Sequence, residues 1–149
     1  MKIKVQVFYI FLTFLLVSNI GFTQVGINTT NPLSTLDING NLSLKTVTLD
    51  GTNTGGGGSA TIINDGVYIS IRPLAGDDKF QLPNPTAVPG RVYIVRNIQN
   101  SVTAQLTTPA GLIFHKGSTS GGLNQIYMWE GNRRSVIIIS DGLNWTYFD

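Results

Sequence analysis

The strongest constraint on this chain is a two-residue apolar period that holds almost everywhere beyond residue 23. No stretch keeps a helical period for three turns. In "GVYISIR" Val67, Ile69 and Ile71 share one face while Tyr68, Ser70 and Arg72 share the other. In "KFQL" Phe80 and Leu82 alternate with Lys79 and Gln81. "VTAQL" (102–106), "GLIFH" (111–115), "NQIYMW" (124–129) and "NWTYF" (144–148) continue the series. "RVYIVRNI" (91–98) and "SVIIIS" (135–140) are apolar on both faces, which predicts strands covered on both sides. Turn signals separate the strands, among them Gly76-Asp77-Asp78, Pro83-Asn84-Pro85, Pro89-Gly90, Gly121-Gly122, Gly131-Asn132 and Asp141-Gly142. Short strands at this spacing predict an all-β fold, an antiparallel β-sandwich or a prism-like domain.

The first 23 residues break the pattern. Lys2 and Lys4 precede a nearly unbroken apolar run from Val5 to Val17, and small and polar residues follow. That is the layout of a signal peptide spanning 1–23, with cleavage after Thr23, or alternatively after Gly21. The run is shorter than the roughly 20 residues a spanning helix needs. The expectation is therefore a secreted or cell-surface protein with no stable membrane insertion once the leader is cut. Removing Lys2 and Lys4 leaves eight Lys+Arg against eight Asp+Glu, so no net basic charge remains to suggest nucleic acid. There is no cysteine. Disulfides are excluded, and stability must come from apolar burial, backbone pairing or association.

"DGTNTGGGGS" (50–59) reads as a boundary, because consecutive glycines carry a high entropic cost in a strand. The division is then a head at 24–50, a glycine-rich linker at 51–58 and a β-rich domain at 59–149. The head offers two or three short strands, including "NLSLKTVTL" (41–49), where the apolar face switches near Lys45-Thr46 and predicts a bulge or a twist. So few strands are marginal in water alone. They need the β-domain or the same segment of another chain.

The head motif "VGINTTNPLSTLDING" (25–40) closely resembles VGIGTxxPxxxLDVxG. That pattern occurs after the signal peptide of Bacteroidetes-type secreted proteins and in phage tail-fibre proteins. The matching positions are Val25, Gly26, Ile27, Thr29, Pro32, Leu36, Asp37 and Gly40; Asn28 and Ile38 depart from it. "LPNPTAVPGRVYIVRN" (82–97) and "SVIIISDGLNWTYF" (135–148) resemble the β-rich C-terminal domain of the same tail-fibre-like group. The resemblance implies an extracellular fibre or adhesin-like module, a homotrimer, with no catalysis and no cofactor. Three heads could then bury Val25, Ile27, Leu33, Leu36 and Ile38 around an axis.

Chemistry-bearing residues are sparse. His115 is the lone histidine, and Asp77-Asp78 the lone adjacent carboxylate pair, at an ordinary turn. Asp50, Asn53, Asn64 and Asp65 could offer oxygens to calcium, although turn chemistry accounts for them. Neither catalytic nor metal-ligating residues are assigned. Aromatic side chains are the best candidates for a binding surface, because sugar rings stack on them. Tyr127 and Trp129 share one face and Trp145 and Tyr147 another, with Arg133 and Arg134 in the adjoining loop and able to meet an acidic glycan. The leading expectation is a secreted, non-enzymatic fibre module that binds a surface glycan or another surface ligand. The alternatives are a monomeric, lectin-like carbohydrate-binding β-sandwich and a small secreted glycan-active enzyme whose carboxylates meet only on folding.

Overall fold

The computed structural model describes residues 25–27, 36–118, 120–129 and 131–149. The expected leader at 1–23 lies outside the described residues, as do Thr29, Pro32 and Leu33 of the head motif. The chain divides between Ser43 and Leu44 into two compact units. In the first, β1 (Val25–Ile27) pairs in parallel with β2 (Leu36–Ile38), Val25 opposite Leu36 and Ile27 opposite Ile38. The amide of Asn39 donates to the carbonyl of Ile27 at 3.0 Å. Val25, Ile27 and Leu36 are all exposed.

The second unit is all-β, as the two-residue period requires. Its strands are β3 (Thr46–Asp50), β4 (Thr61–Ile62), β5 (Tyr68–Arg72), β6 (Asp78–Gln81), β7 (Val92–Asn97), β8 (Ala104–Thr107), β9 (Ile113–His115), β10 (Gln125–Met128), β11 (Ser135–Ser140) and β12 (Trp145–Phe148). They form a six-stranded sheet, β3-β5-β7-β11-β12-β9, and a four-stranded sheet, β10-β8-β6-β4. The apolar faces of both sheets contribute to one core. Ile69, Ile71, Tyr93, Val95, Val136, Ile138 and Trp145 come from the larger sheet; Phe80, Leu106, Ile126 and Met128 come from the smaller. The buried Asn97 ties strands of the two sheets: its Nδ2 donates to the carbonyls of Val102 (2.8 Å) and Met128 (3.0 Å).

Strand direction departs from the expected antiparallel arrangement. From β3 to β8 the chain passes alternately from one sheet to the other. Successive strands in each sheet are therefore parallel: β3 with β5, β5 with β7, β4 with β6, and β6 with β8. Parallel neighbours need a crossover, usually a helix. Here the crossover for each sheet is a strand of the other. Among the described strands the antiparallel pairs are β10 with β8 and β11 with β7 and β12, and an isolated antiparallel bridge joins Ile113 to Leu123. Near Lys45-Thr46, the place of the expected bulge or twist within one strand, β3 begins only at Thr46.

A second difference concerns β7 and β11, predicted to be covered on both faces. One face of each is buried, but Val92 and Ile137 on the other are exposed. The register places Tyr68, Ile94, Ile137 and Phe148 in one row across this outer face, with Val92 and Ile139 paired beside it.

Residues 51–58, expected to link two domains, lie inside the second unit and form a built loop. Its centre is a 3-10 turn at Gly55–Gly57. The loop wraps the carboxylate of Asp78, which has no exposed surface. Asp78 accepts from the amides of Asn53 (3.2 Å), Thr54 (3.1 Å), Gly55 (2.8 Å), Leu74 (2.8 Å) and Ala75 (3.0 Å). Burial pushes the pKa of this carboxyl up, but the backbone donors outweigh it and hold the group below the ordinary carboxylate value. Glycine is needed at position 51, because a Cβ there would collide with the Asp78 carboxylate.

Candidate binding site

The four-stranded sheet buries one face and shows the other. In its inward rows Phe80, Leu106 and Ile126 lie opposite one another, as do Asp78, Ala104 and Met128. Its outward rows are Lys79–Gln105–Tyr127 and Gln81–Thr107–Gln125. Strand alternation alone sets this division, since successive side chains point to opposite faces.

At the β10 edge the outward face forms a depression of about 400 Å³, lined by Asn124, Gln125, Tyr127, Trp129, Asn132 and Arg133 among others. Backbone pairing fixes its floor. Ile113 and Leu123 exchange hydrogen bonds of 2.6 and 2.9 Å, and the amide of Thr108 donates to the carbonyl of Asn124 at 3.1 Å. The hydroxyl of Tyr127 accepts from Nε2 of Gln125 at 3.3 Å. Trp129 is 53% exposed and Tyr127 36%. A large indole left in water beside amide side chains offers a stacking plane next to hydrogen-bonding groups.

Arg133 enters the depression from the loop before β11 and is held in place. Its Nε donates to Oδ2 of Asp149 at 2.7 Å, and its guanidinium carbon sits 4.9 Å from the centre of the Tyr147 ring. The bond from Arg133 holds the Asp149 carboxyl below its ordinary pKa; burial opposes this, and a contact from Nε2 of His115, at 3.2 Å, adds to it.

The six residues singled out in the sequence separate into groups. Tyr127, Trp129 and Arg133 come together at the depression. Trp145 and Tyr147 do share a face, as the period predicts, but it is the inward one: they are 0% and 6% exposed. Trp145 packs on Tyr93 with ring centres 5.9 Å apart. Arg134 is turned to the turn after β7. Its Nε donates to the carbonyl of Asn97 (3.2 Å), and its terminal nitrogen to the carbonyl of Gln99 (3.1 Å) and the side chain of Asn100. The sequence reading passed over Asn124, Gln125 and Asn132. The signal for Gln125 was present, since it stands two and four residues before Tyr127 and Trp129 and so shares their face.

Of the four residues considered for calcium, the two carboxylates have other partners. Asp50 forms a two-pronged ion pair with Arg72 (2.7 and 2.6 Å), and Asp65 pairs with Lys45 and accepts from the amide of Gly66. Among the described residues no three His, Cys, Asp or Glu gather as a metal site would require. No helix among them is long and apolar enough to cross a membrane. No protein-family model, curated protein or solved structure matches the chain.

Proposed function

We propose that this chain is an exported, non-enzymatic surface module of the fibre or adhesin kind, assembled as a homotrimer, which binds a surface saccharide through the depression beside Trp129. The observation that carries the binding part is the division of the two tryptophans. Trp145 is spent on the core, whereas Trp129 stands in water beside Tyr127, Asn124, Asn132 and an anchored Arg133. A soluble fold gains nothing in stability from an exposed indole, whereas a sugar face can stack on it while the amides meet its hydroxyls. The test is an array of immobilised acidic and neutral polysaccharides probed with the wild-type chain and Trp129→Ala. Retention of at least one glycan by the wild type, lost in the variant at unchanged thermal midpoint, is expected. No retention by the wild type, or equal retention by both, overturns the reading.

Association is supported by a separate observation. The head strands expose Val25, Ile27 and Leu36, and the row Tyr68–Ile94–Ile137–Phe148 lays apolar side chains across the outer face of the larger sheet. Covering such surfaces with a second and third copy would remove apolar area from water and protect open strand edges. Light scattering on a sizing column should give the mass of three chains. A monomer would overturn assembly and leave the lectin-like reading.

A further inference from the structure

We propose that the binding face holds a second, contiguous subsite centred on Lys79 and Gln81, and that the ligand is a linear oligosaccharide containing uronic acid residues, spanning both subsites. This rests on the saccharide reading of the Trp129 depression. A second depression, of about 320 Å³, lies on the same outward face and is lined by Lys79, Gln81, Thr107 and Thr108 among others. It shares Asn124 and Gln125 with the first. The two are thus one path that crosses the sheet from β10 over β8 to β6, at right angles to the strands.

Three features of the path point to a chain of sugars. First, its length: β10 and β6 are two strand spacings apart, about 10 Å, and Trp129, directly after Met128, continues the path along the end of β10. The repeat of an extended polysaccharide is close to one strand spacing, so one ring cannot fill it and several in line can. Second, its lining: across β6, β8 and β10 the row Gln81–Thr107–Gln125 presents three hydrogen-bonding side chains in register, the two amides able to donate and accept and Thr107, whose hydroxyl donates to the carbonyl of Phe80 at 3.3 Å, able to accept. Third, its charge: among the described residues the first depression is lined by Arg133 and the second by Lys79, and neither is lined by a carboxylate. The Lys79 ammonium in the second subsite, together with the guanidinium nitrogens of Arg133 other than the Nε held by Asp149, fits carboxylated sugars better than neutral ones.

The test is calorimetric titration of the full chain with oligogalacturonates of one to six units and with cello-oligosaccharides of the same lengths. The acidic series should gain at least tenfold in affinity between two and four units, then level off. Lys79→Ala should remove most of that gain while leaving binding of the shortest ligands unchanged, and Lys79→Arg should restore it. Trp129→Ala should weaken every length. Thermal midpoints of the variants should match wild type, since Lys79 points away from the core. Trp129-dependent binding without length dependence, or without any effect of Lys79→Ala, overturns the second subsite while leaving the proposed function intact. Tighter binding of the neutral series overturns the acidic assignment. Failure of both series to bind overturns this inference and, if the array is also blank, the saccharide reading itself.

Discussion

At the scale of single residues, the fold depends on a few polar groups buried with full hydrogen bonding. Asp78 gathers five amides from two loops, so its carboxylate stands in for two turns' worth of backbone acceptors. Asp78→Ala should cost about 4 kcal/mol, because several buried amides lose their acceptor at once; denaturant unfolding would show it. The pH dependence follows from the depressed pKa. The stabilisation is present above the ordinary carboxylate value, about 4, and is lost as pH falls through the lower value of the folded state. Wild type should therefore destabilise steeply in acid, and Asp78→Asn should flatten that limb. The tryptophans provide a paired test. Trp145→Ala should cost about 4 kcal/mol, whereas Trp129→Ala should change stability by less than about 0.5 kcal/mol. Sequence alone could pair Trp145 with Tyr147 and Trp129 with Tyr127, because alternation fixes which residues share a face. It could not say which pair turns inward. That depends on which face meets the opposite sheet, and no local pattern encodes it.

At the scale of elements, the strands were legible and their partners were not. Every segment from "GVYISIR" to "NWTYF" that alternates is a strand within a residue or two of its expected place. Alternation and turn residues are local signals, and they act within ten residues. Pairing of β3 with β5, or of β6 with β8, joins residues more than twenty apart and leaves no local trace. The glycine run misled for a related reason. Four glycines fit a flexible connector, and equally a loop whose backbone must press against a buried carboxylate. Only the distant Asp78 decides between them. The two meanings separate experimentally. Gly51→Ala should destabilise by about 2 kcal/mol or more, the cost of forcing a Cβ into an occupied site. Gly57→Ala, where a Cβ meets open space, should be neutral within about 0.5 kcal/mol. A flexible linker would tolerate both equally in thermal melts.

At the scale of the whole molecule, the two sheets have distinct outer surfaces. The larger sheet shows an apolar row and the smaller a polar one, so the self-association and the ligand binding proposed above would use different faces. Ile137→Lys places a charge in the middle of the apolar row without touching the core. It should convert the proposed trimer to monomer in light scattering while leaving the affinity for the proposed glycan ligand within a factor of two. Loss of glycan binding in that monomer would mean the two faces are not independent.

The winding of β3 to β8 bears on how such a module carries tension. β3, β5, β7 and β12 all run in one direction, because β11 is antiparallel to both β7 and β12. The beginning of β3 and the end of β12 therefore lie at opposite ends of the larger sheet. Force applied between those points has a component along the strands. The hydrogen bonds joining β3 to β5 would then share the load together, in shear, instead of opening one after another like a zipper.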